Sequence, residues 1–287
     1  MYEQLNNLWE NTLEECGEVE KIEIQLLLEG IFRRYGFDFR DYSFSFIRRR
    51  VWHRIRIEKL IGISDLQAKV LHDPRLMEKL FSDFSIHVTE MFRDPGFFQA
   101  FRNKVVPLLR DLPFIRIWHA GCSTGEEVYS MAILLHEEGL FHKTSIYATD
   151  MNENFLKKAE TGVFPLERMQ EFTKNYLAAG GTRSFSEYYT VKHESVVFHA
   201  FLRENTVFAQ HNLVTDRSFN EFHVIVCRNV MIYFSKPLQN HVHALLYDSL
   251  GLSGILGLGN KEAIAFTSRS HCYEEIDSSE RLYSKIK

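Results

Sequence analysis

The sequence predicts an α/β protein: an open, mostly parallel sheet with helices on both faces, a small all-helical domain before it and a β-rich insertion. Three observations support this prediction. From about Ile115 onward, short apolar runs alternate with helical segments, which is typical of buried parallel strands. The stretch up to about Met77 has helical periodicity throughout. Between about residues 182 and 205 the alternation fails, and two short strands are expected instead. We therefore predict a helical domain over 1–78 and a sheet domain over 79–287.

The helical domain is expected to contain several helices separated by glycine or proline signals. They are Ile24–Tyr35, Phe44–Lys59 and Leu66–Leu71, and a further helix is expected at Arg75–Phe84. The second helix carries an apolar stripe at helical spacing, which predicts a buried face. The stripe consists of Phe44, Ile47, Val51 and Ile55. Arg49, Arg50 and Arg56 lie on or beside the opposite side, so this domain should present one strongly basic face. A solvated charged face without a partner is the alternative interpretation.

In the sheet domain, each predicted element follows from its apolar pattern and its flanking turn residues. The strands are Ile115–Ala120, Thr144–Ala148, Val207–Ala209, Phe222–Cys227 and Ile255–Leu258, and the helices are Val128–Glu138, Glu153–Glu160 and Leu238–Leu250. Two further runs, Ile264–Thr267 and Arg281–Ile286, are expected to pair as an antiparallel edge. Within the insertion, strands are expected at 188–191 and 196–198.

Composition excludes several classes of protein. The chain of 287 residues has a net charge of −4, which argues against nucleic-acid binding. It has no apolar run long enough for a membrane span and no basic start followed by an apolar block, so neither membrane insertion nor a signal peptide is expected. The four cysteines are scattered, so we expect no metal cage and no disulfide framework, and a reducing cytoplasm is the expected compartment.

Polar residues follow three of the predicted strands, where ligands of open α/β sheets bind. Gly121-Cys-Ser-Thr-Gly-Glu-Glu127 is a tight turn leading into a helix, and Asp150 and Arg228-Asn229 follow two other strands. The carboxylates would repel a pyrophosphate but suit a ligand with hydroxyls and a positive charge, such as S-adenosylmethionine. Each feature also has a structural explanation: a first-turn glutamate, a helix-capping aspartate, or a turn whose polar groups are satisfied locally.

At this point the chain resembles a known family. The run Gly121–Glu127 with Tyr129-Ser130, together with Cys227-Arg-Asn-Val-Met-Ile-Tyr-Phe234, is similar to the CheR family of chemotaxis-receptor glutamate O-methyltransferases. Thr89-Glu-Met-Phe-Arg93 and Gly257-Leu-Gly-Asn-Lys-Glu262 support the resemblance. It covers the chain clearly from about Phe84 to the C-terminus.

The resemblance implies a Rossmann-like methyltransferase sheet that binds S-adenosylmethionine, releases S-adenosylhomocysteine and methylates glutamates on the cytoplasmic helical domain of chemoreceptors. The implied cofactor contacts are His87, Thr89, Arg93, Glu127, Asp150, Asn212, Leu213, Arg228 and Asn229. His87 departs from the family pattern, which has asparagine there. Arg93 is the candidate to orient the receptor carboxylate, and Tyr233 the candidate to place a hydroxyl beside the methyl group.

The basic face with Arg49, Arg50 and Arg56 would dock the receptor, and a monomer is expected. In some members of the family the β-rich part grips a receptor peptide by strand addition. Two other functions stay open: a non-catalytic module that binds S-adenosylmethionine to regulate a partner, and a methyltransferase acting on another acid or in a non-chemotaxis sensory pathway. A dinucleotide dehydrogenase is disfavoured because the glycine spacing of its fingerprint is missing.

Overall fold

A computed structural model describes residues 2–85, 89–265 and 267–287, with side chains from residue 17 onward. The chain forms two compact units. One consists of Met1–Ile86 with Tyr233–Leu238, and the other of His87–Ile232 with Gln239–Lys287. None of the described helices combines the length and apolar composition that a membrane crossing needs.

The first unit is all helical, as predicted. Its helices are α1 (Tyr2–Tyr35), α2 (Phe44–Ile57), α3 (Ile63–His72) and α4 (Pro74–Phe84). Local chemistry sets their ends. Gly36, with φ +79°, follows the last residue of α1, and the side chain of Ser43 accepts the Phe46 N–H at the start of α2. Asp73 caps α4, and Pro74 is its first residue.

The buried face of α2 differs from the predicted stripe at one end. Ile47, Val51 and Ile55 are buried as expected. The prediction for Phe44 was wrong, since its side chain is 42% exposed, whereas Phe46 is 4% exposed. The reason is aromatic packing: the Phe46 ring lies 6.0 Å from that of Tyr42 and 4.9 Å from that of Tyr233. Phe44 is therefore left on the surface of the first helical turn.

The second unit contains the two sheets. Its strands are β1 (Ile115–Ala120), β2 (Thr144–Asp150), β3 (Val163–Pro165), β4 (Tyr189–Lys192), β5 (Ser195–Phe198), β6 (Thr206–Gln210), β7 (Phe222–Cys227), β8 (Leu250–Leu258), β9 (Tyr273–Asp277) and β10 (Leu282–Lys285). Its helices are α5 (Pro95–Ala100), α6 (Val106–Leu109), α7 (Glu126–Glu137), α8 (Glu153–Thr161) and α9 (Met169–Ala178), while α10 (Lys236–Ser249) begins in the first unit and ends in the second.

The large sheet has the strand order β6-β2-β1-β7-β8-β10-β9. The five strands from β6 to β8 run parallel, and β10 is antiparallel to both β8 and β9. The chain winds from β1 outward through β2 to β6, and then returns to β7 on the other side of β1. This reversal opens a crevice at the carboxyl ends of β1 and β7, which is where such sheets bind ligands.

The predicted antiparallel edge is partly wrong. The strand β10 falls within Arg281–Ile286 as expected, but it pairs with β8 and β9 and so lies inside the sheet. The other run, Ile264–Thr267, includes residue 266, which lies outside the described residues; its Thr267 N–H donates to the Ile264 carbonyl (3.0 Å), and the described part of the run does not pair with β10. Tyr273–Asp277, whose central residues are exposed glutamates, forms the edge instead.

The β-rich insertion is confirmed as a separate antiparallel sheet with the order β3-β5-β4. The hairpin of β4 and β5 matches the two predicted short strands, while β3 comes from before α9 and was not anticipated. The insertion thus runs from β3 through α9 to β5 and includes one helix.

Candidate functional site

The turn after β1 requires glycine at two positions. Gly121 has φ +80°, and a Cβ there would lie 2.6 Å from Cγ2 of Val230 in the loop after β7. Gly125 has φ +95° and immediately precedes α7. The N–H groups of Gly121 and Cys122 both donate to the Thr149 carbonyl at 2.8 Å. The turn is therefore held tightly between the ends of β2 and β7.

Asp150, the last residue of β2, supports this turn from the other side. Its carboxylate accepts the Ser123 N–H at 2.9 Å and the Asn152 N–H at 2.9 Å. Burial raises the pKa of Asp150 although these donors oppose the shift. Within the described residues no cation forms an ion pair with this carboxylate. It is therefore available to hydroxyl or cationic donors of a ligand.

Glu127, in the first turn of α7, is bound to the protein by both of its oxygens. Oε1 lies 2.9 Å from His119 Nδ1, and Oε2 accepts from Arg228 Nη1 at 3.0 Å. Burial by itself raises the pKa of Glu127, but the His119 hydrogen bond and the Arg228 charge outweigh it and hold the pKa below its usual range. Glu127 is ionised at neutral pH, and 18% of its side chain stays exposed.

The Arg228 side chain binds three groups near Glu127. It is 1% exposed, and Nη2 donates to Asp94 (2.9 Å) and to the Arg93 carbonyl (3.1 Å), while Nη1 binds Glu127. The guanidinium also lies 4.1 Å from the centre of the Phe97 ring. The sequence indicates Arg228 as a cofactor contact, which stays a prediction; within the protein its side chain binds Glu127 and the Arg93 segment.

The segment around Arg93 has an unusual backbone. Phe92 and Asp94, on either side of Arg93, have φ +51° and +53°. Positive φ is uncommon for residues other than glycine and is an outlier for a bulky aromatic. Such conformations persist only where surrounding contacts impose them, and they concentrate at functional sites. The Phe92 N–H donates to Ser130 Oγ at 2.8 Å, which is one such contact.

Glu262 shapes the loop that carries Asn229, and sequence reasoning did not assign it a role. Its buried carboxylate accepts the N–H groups of Asn229 (2.8 Å), Val230 (2.9 Å), Met231 (2.7 Å) and Gly259 (2.8 Å). Burial raises the pKa of Glu262 while these four donors oppose the shift. A charged residue inside an apolar, glycine-rich stretch was the available sequence signal. Asn229 itself has φ +61°.

At the end of β6, Asn212 closes a local turn: its Oδ1 accepts the Val214 N–H (3.0 Å) and its N–H donates to Asp216 (2.8 Å). Leu213 is 7% exposed. Nδ1 of the preceding His211 is buried and has no hydrogen-bond partner among the described residues.

The predicted site residues thus divide into three groups. Glu127, Asp150, Asn212-Leu213 and Arg228-Asn229 follow neighbouring strands at one edge of the sheet. Thr89 and Arg93 lie on the segment fixed by Arg228, and both are partly exposed. His87 lies outside the described residues, and Tyr233 belongs to the helical unit, where its ring packs on Phe46.

The predicted basic face of α2 surrounds a surface depression of about 570 Å³, lined by Phe44, Ser45, Arg48, Arg49, Trp52 and Arg56. Arg48 is paired with Glu20 of α1 (2.8 Å), which also accepts from the indole N–H of Trp52. Within the described part of the chain, Arg49 and Arg56 are exposed and make no ion pair.

Arg50 is half-buried, and its guanidinium lies 5.7 Å from the centre of the Phe46 ring. Arg54, which flanks the predicted stripe, is buried against Asp83 (2.7 Å) and Glu58 (3.1 Å). The arginines of α2 thus include exposed side chains, Arg49 and Arg56, and a buried one, Arg54, that forms ion pairs within the protein.

The strand-end site fits S-adenosylmethionine. The Asp150 carboxylate suits hydroxyl donors, and the buried Ser123 Oγ has no hydrogen-bond partner among the described residues. A doubly wound sheet with a glycine turn and carboxylates at its switch point is therefore an arrangement that can hold this cofactor.

Comparison with known proteins identifies the family. The model of the CheR methyltransferase S-adenosylmethionine-binding domain matches residues 87–280, and that of the CheR all-alpha domain matches residues 22–85. The chain belongs to the CheR methyltransferase family.

Three curated relatives show the range of similarity. Cher3 of Pseudomonas putida is 48% identical over 264 residues, covering 92% of this chain and 97% of its own. The chemotaxis protein methyltransferase of Listeria innocua is 29% identical, covering 81% of this chain and 86% of its own. Chemotaxis protein methyltransferase 2 of Pseudomonas aeruginosa is 28% identical, covering 88% and 90%.

Proposed function

We propose that this enzyme transfers the methyl group of S-adenosylmethionine to glutamate side chains on the cytoplasmic helical domain of chemoreceptors, giving methyl esters for sensory adaptation. The observation that carries the proposal is the presence of two different carboxylates at one switch point. Asp150 forms no ion pair among the described residues, and Glu127 is bound to Arg228. The names of the relatives from Listeria and Pseudomonas aeruginosa support the receptor pathway. The enzyme would work in the cytoplasm, where these receptor domains lie.

In the cofactor pocket, Asp150 would accept hydrogen bonds from the ribose hydroxyls, and Leu213 would provide apolar surface for the adenine ring. Glu127 would face the positively charged amino-acid end of the cofactor, with Arg228 and His119 fixing its orientation. Thr89, Asn212, Arg228, Asn229 and His87 are the other predicted contacts. The bound cofactor supplies a methyl group on a sulfonium, which is a good leaving group.

The receptor carboxylate needs no general base, because a glutamate side chain is ionised near neutral pH. Catalysis then consists of holding one carboxylate oxygen in line with the methyl group and excluding water. We assign the holding role to Arg93, whose planar guanidinium suits a carboxylate. The positive φ of both neighbours of Arg93 supports a fixed position for it. Tyr233 stays a predicted second catalytic residue.

Receptor docking is assigned to the face of α2 with Arg49, Arg50 and Arg56. Arg49 and Arg56 are exposed beside the apolar floor formed by Phe44 and Trp52. An amphipathic, acidic receptor helix would match that surface: carboxylates for the arginines and an apolar side chain for the depression. Arg48 contributes less, because Glu20 already neutralises it.

The test is transfer of radiolabelled methyl from S-adenosylmethionine to a purified receptor cytoplasmic fragment. The matched control is the same fragment with its methyl-accepting glutamates changed to glutamine. We expect label that alkali releases, as a carboxyl methyl ester requires, and none on the control fragment. Tight cofactor binding with no transfer to any receptor fragment would favour a non-catalytic module, and alkali-stable label would contradict esterification.

A further inference from the structure

We propose that the β-rich insertion positions the catalytic segment through Arg168 and Asn175, which bind the backbone on either side of Glu90. This inference rests on the proposed role of Arg93. Arg168 Nη1 donates to the Thr89 carbonyl at 3.0 Å, and Asn175 Nδ2 donates to the Met91 carbonyl at 3.1 Å. Both donors come from the part of the chain between β3 and β4.

The segment needs such partners because it forms no regular structure. Residues 89–94 belong to neither a helix nor a strand, so their carbonyl groups have no ladder to join. Met91 and Phe92 are fully buried, where an unpaired carbonyl is unfavourable. The amide of Asn175 and the guanidinium of Arg168 supply the missing donors.

The same segment is also held by the sheet domain. Ser130 on α7 accepts the Phe92 N–H at 2.8 Å, and Arg228 after β7 donates to the Arg93 carbonyl at 3.1 Å. The insertion thus binds the backbone at Thr89 and Met91, and the sheet domain binds it at Phe92 and Arg93. The positive φ of Phe92 persists because both parts of the protein fix it.

The insertion can serve as a support because α9 is itself anchored. The hydroxyl groups of Tyr176 on α9 and Tyr188 just before β4 both donate to the buried carboxylate of Glu137 on α7. Arg102 donates to the same carboxylate at 2.7 Å. The Tyr176 ring also packs edge-on against the Phe92 ring, 5.3 Å between centres. Asn175, one residue before Tyr176, is therefore placed on a rigid element.

The experiment is a double-mutant cycle between Asn175→Ala and Arg93→Lys, with kcat for methyl transfer as the readout. If Asn175 acts through Arg93, Asn175→Ala lowers kcat about tenfold in the wild-type background, the scale of one lost hydrogen bond. In the Arg93→Lys background it should change kcat less than about twofold. Lys174→Ala, an exposed neighbour on the same helix, is the matched control and should leave kcat unchanged. Equal effects of Asn175→Ala in both backgrounds would overturn the inference.

Amide hydrogen exchange separates this inference from the proposed function. A peptide covering residues 89–94 should exchange at least about tenfold faster in Asn175→Ala and in Arg168→Met than in the wild type or Lys174→Ala. This outcome is expected whatever the methyl acceptor is. Unchanged protection of that peptide in both variants would refute the positioning role even if receptor methylation is confirmed.

Discussion

Replacing Glu127 by glutamine should destabilise the folded protein and weaken cofactor binding together. The change removes the carboxylate that pairs with Arg228, whose side chain is 1% exposed. Removing one partner of a buried ion pair costs about 3–5 kcal/mol. Glutamine keeps one acceptor oxygen, and Asp94 still pairs with the guanidinium at 2.9 Å, so we expect a loss of about 2–3 kcal/mol.

The assay is thermal unfolding of the wild type and Glu127→Gln, with S-adenosylhomocysteine affinity measured in parallel by calorimetry. A loss of this size should lower Tm by roughly 4–12 °C in a domain of this length. Glu126→Gln is the matched control, because burial already raises the pKa of Glu126 and its carboxylate has no cation within hydrogen-bond distance among the described residues. Its Tm should change less. Equal shifts for the two variants would refute the reasoning from the Arg228 pair.

The pH dependence of the same pair has a definite sign. The pKa of Glu127 is lowered in the folded state, so the stabilisation is fully present above the unfolded pKa of about 4.3 and is lost as pH falls through the folded value. The difference in unfolding free energy between wild type and Glu127→Gln should therefore be constant from pH 7 to about 5 and shrink below about 4. A difference that shrinks already between pH 7 and 6 would point to another group.

Three further predictions concern docking, catalysis and the core. Charge reversal at both Arg49 and Arg56 should raise KM for a receptor fragment about tenfold and remove most of the salt dependence of that KM. Reversal at exposed Arg75 on α4 should do neither. An unchanged KM in the double variant would contradict the docking assignment. Arg93→Lys should lower kcat about 100-fold with cofactor affinity within about twofold, and an equal loss of both would reassign Arg93 to cofactor binding. Burial lowers the pKa of His243 to about 4, so chemical denaturation should show about 2 kcal/mol less stability at pH 5 than at pH 7 from this group. His243→Leu should remove this loss of stability at pH 5. The same pH dependence of stability in His243→Leu and the wild type would contradict the assignment to His243.

The sequence was sufficient for the architecture because buried parallel strands have a distinctive apolar pattern. The bounds of β1 and β7 agree with the prediction at both ends. The polar residues that follow these strands lie at the carboxyl ends of the sheet, where open α/β sheets bind ligands. The exposure of Phe44 could not be foreseen, because it depends on Phe46 packing against Tyr233, a residue distant in sequence.

The strand-end positions of the candidate site could be predicted from the sequence, but the contacts between its side chains could not. Arg228 was recognised as important, yet its pairing with Glu127 and Asp94 joins residues more than 100 positions apart. Such ion pairs leave no local periodicity in the sequence. The same holds for the Asn175 hydrogen bond to Met91, which depends on how the insertion folds back onto the sheet domain.

Calorimetric titration with S-adenosylhomocysteine tests the central claim, that the strand ends form the cofactor site, most directly. We predict one binding site per chain in the wild type, and at least a tenfold weaker affinity in Asp150→Ala under conditions where both proteins are folded. Glu153→Ala, an exposed change on α8 nearby, should bind as the wild type does. No binding by the wild type, or equal affinity in Asp150→Ala, would contradict the account.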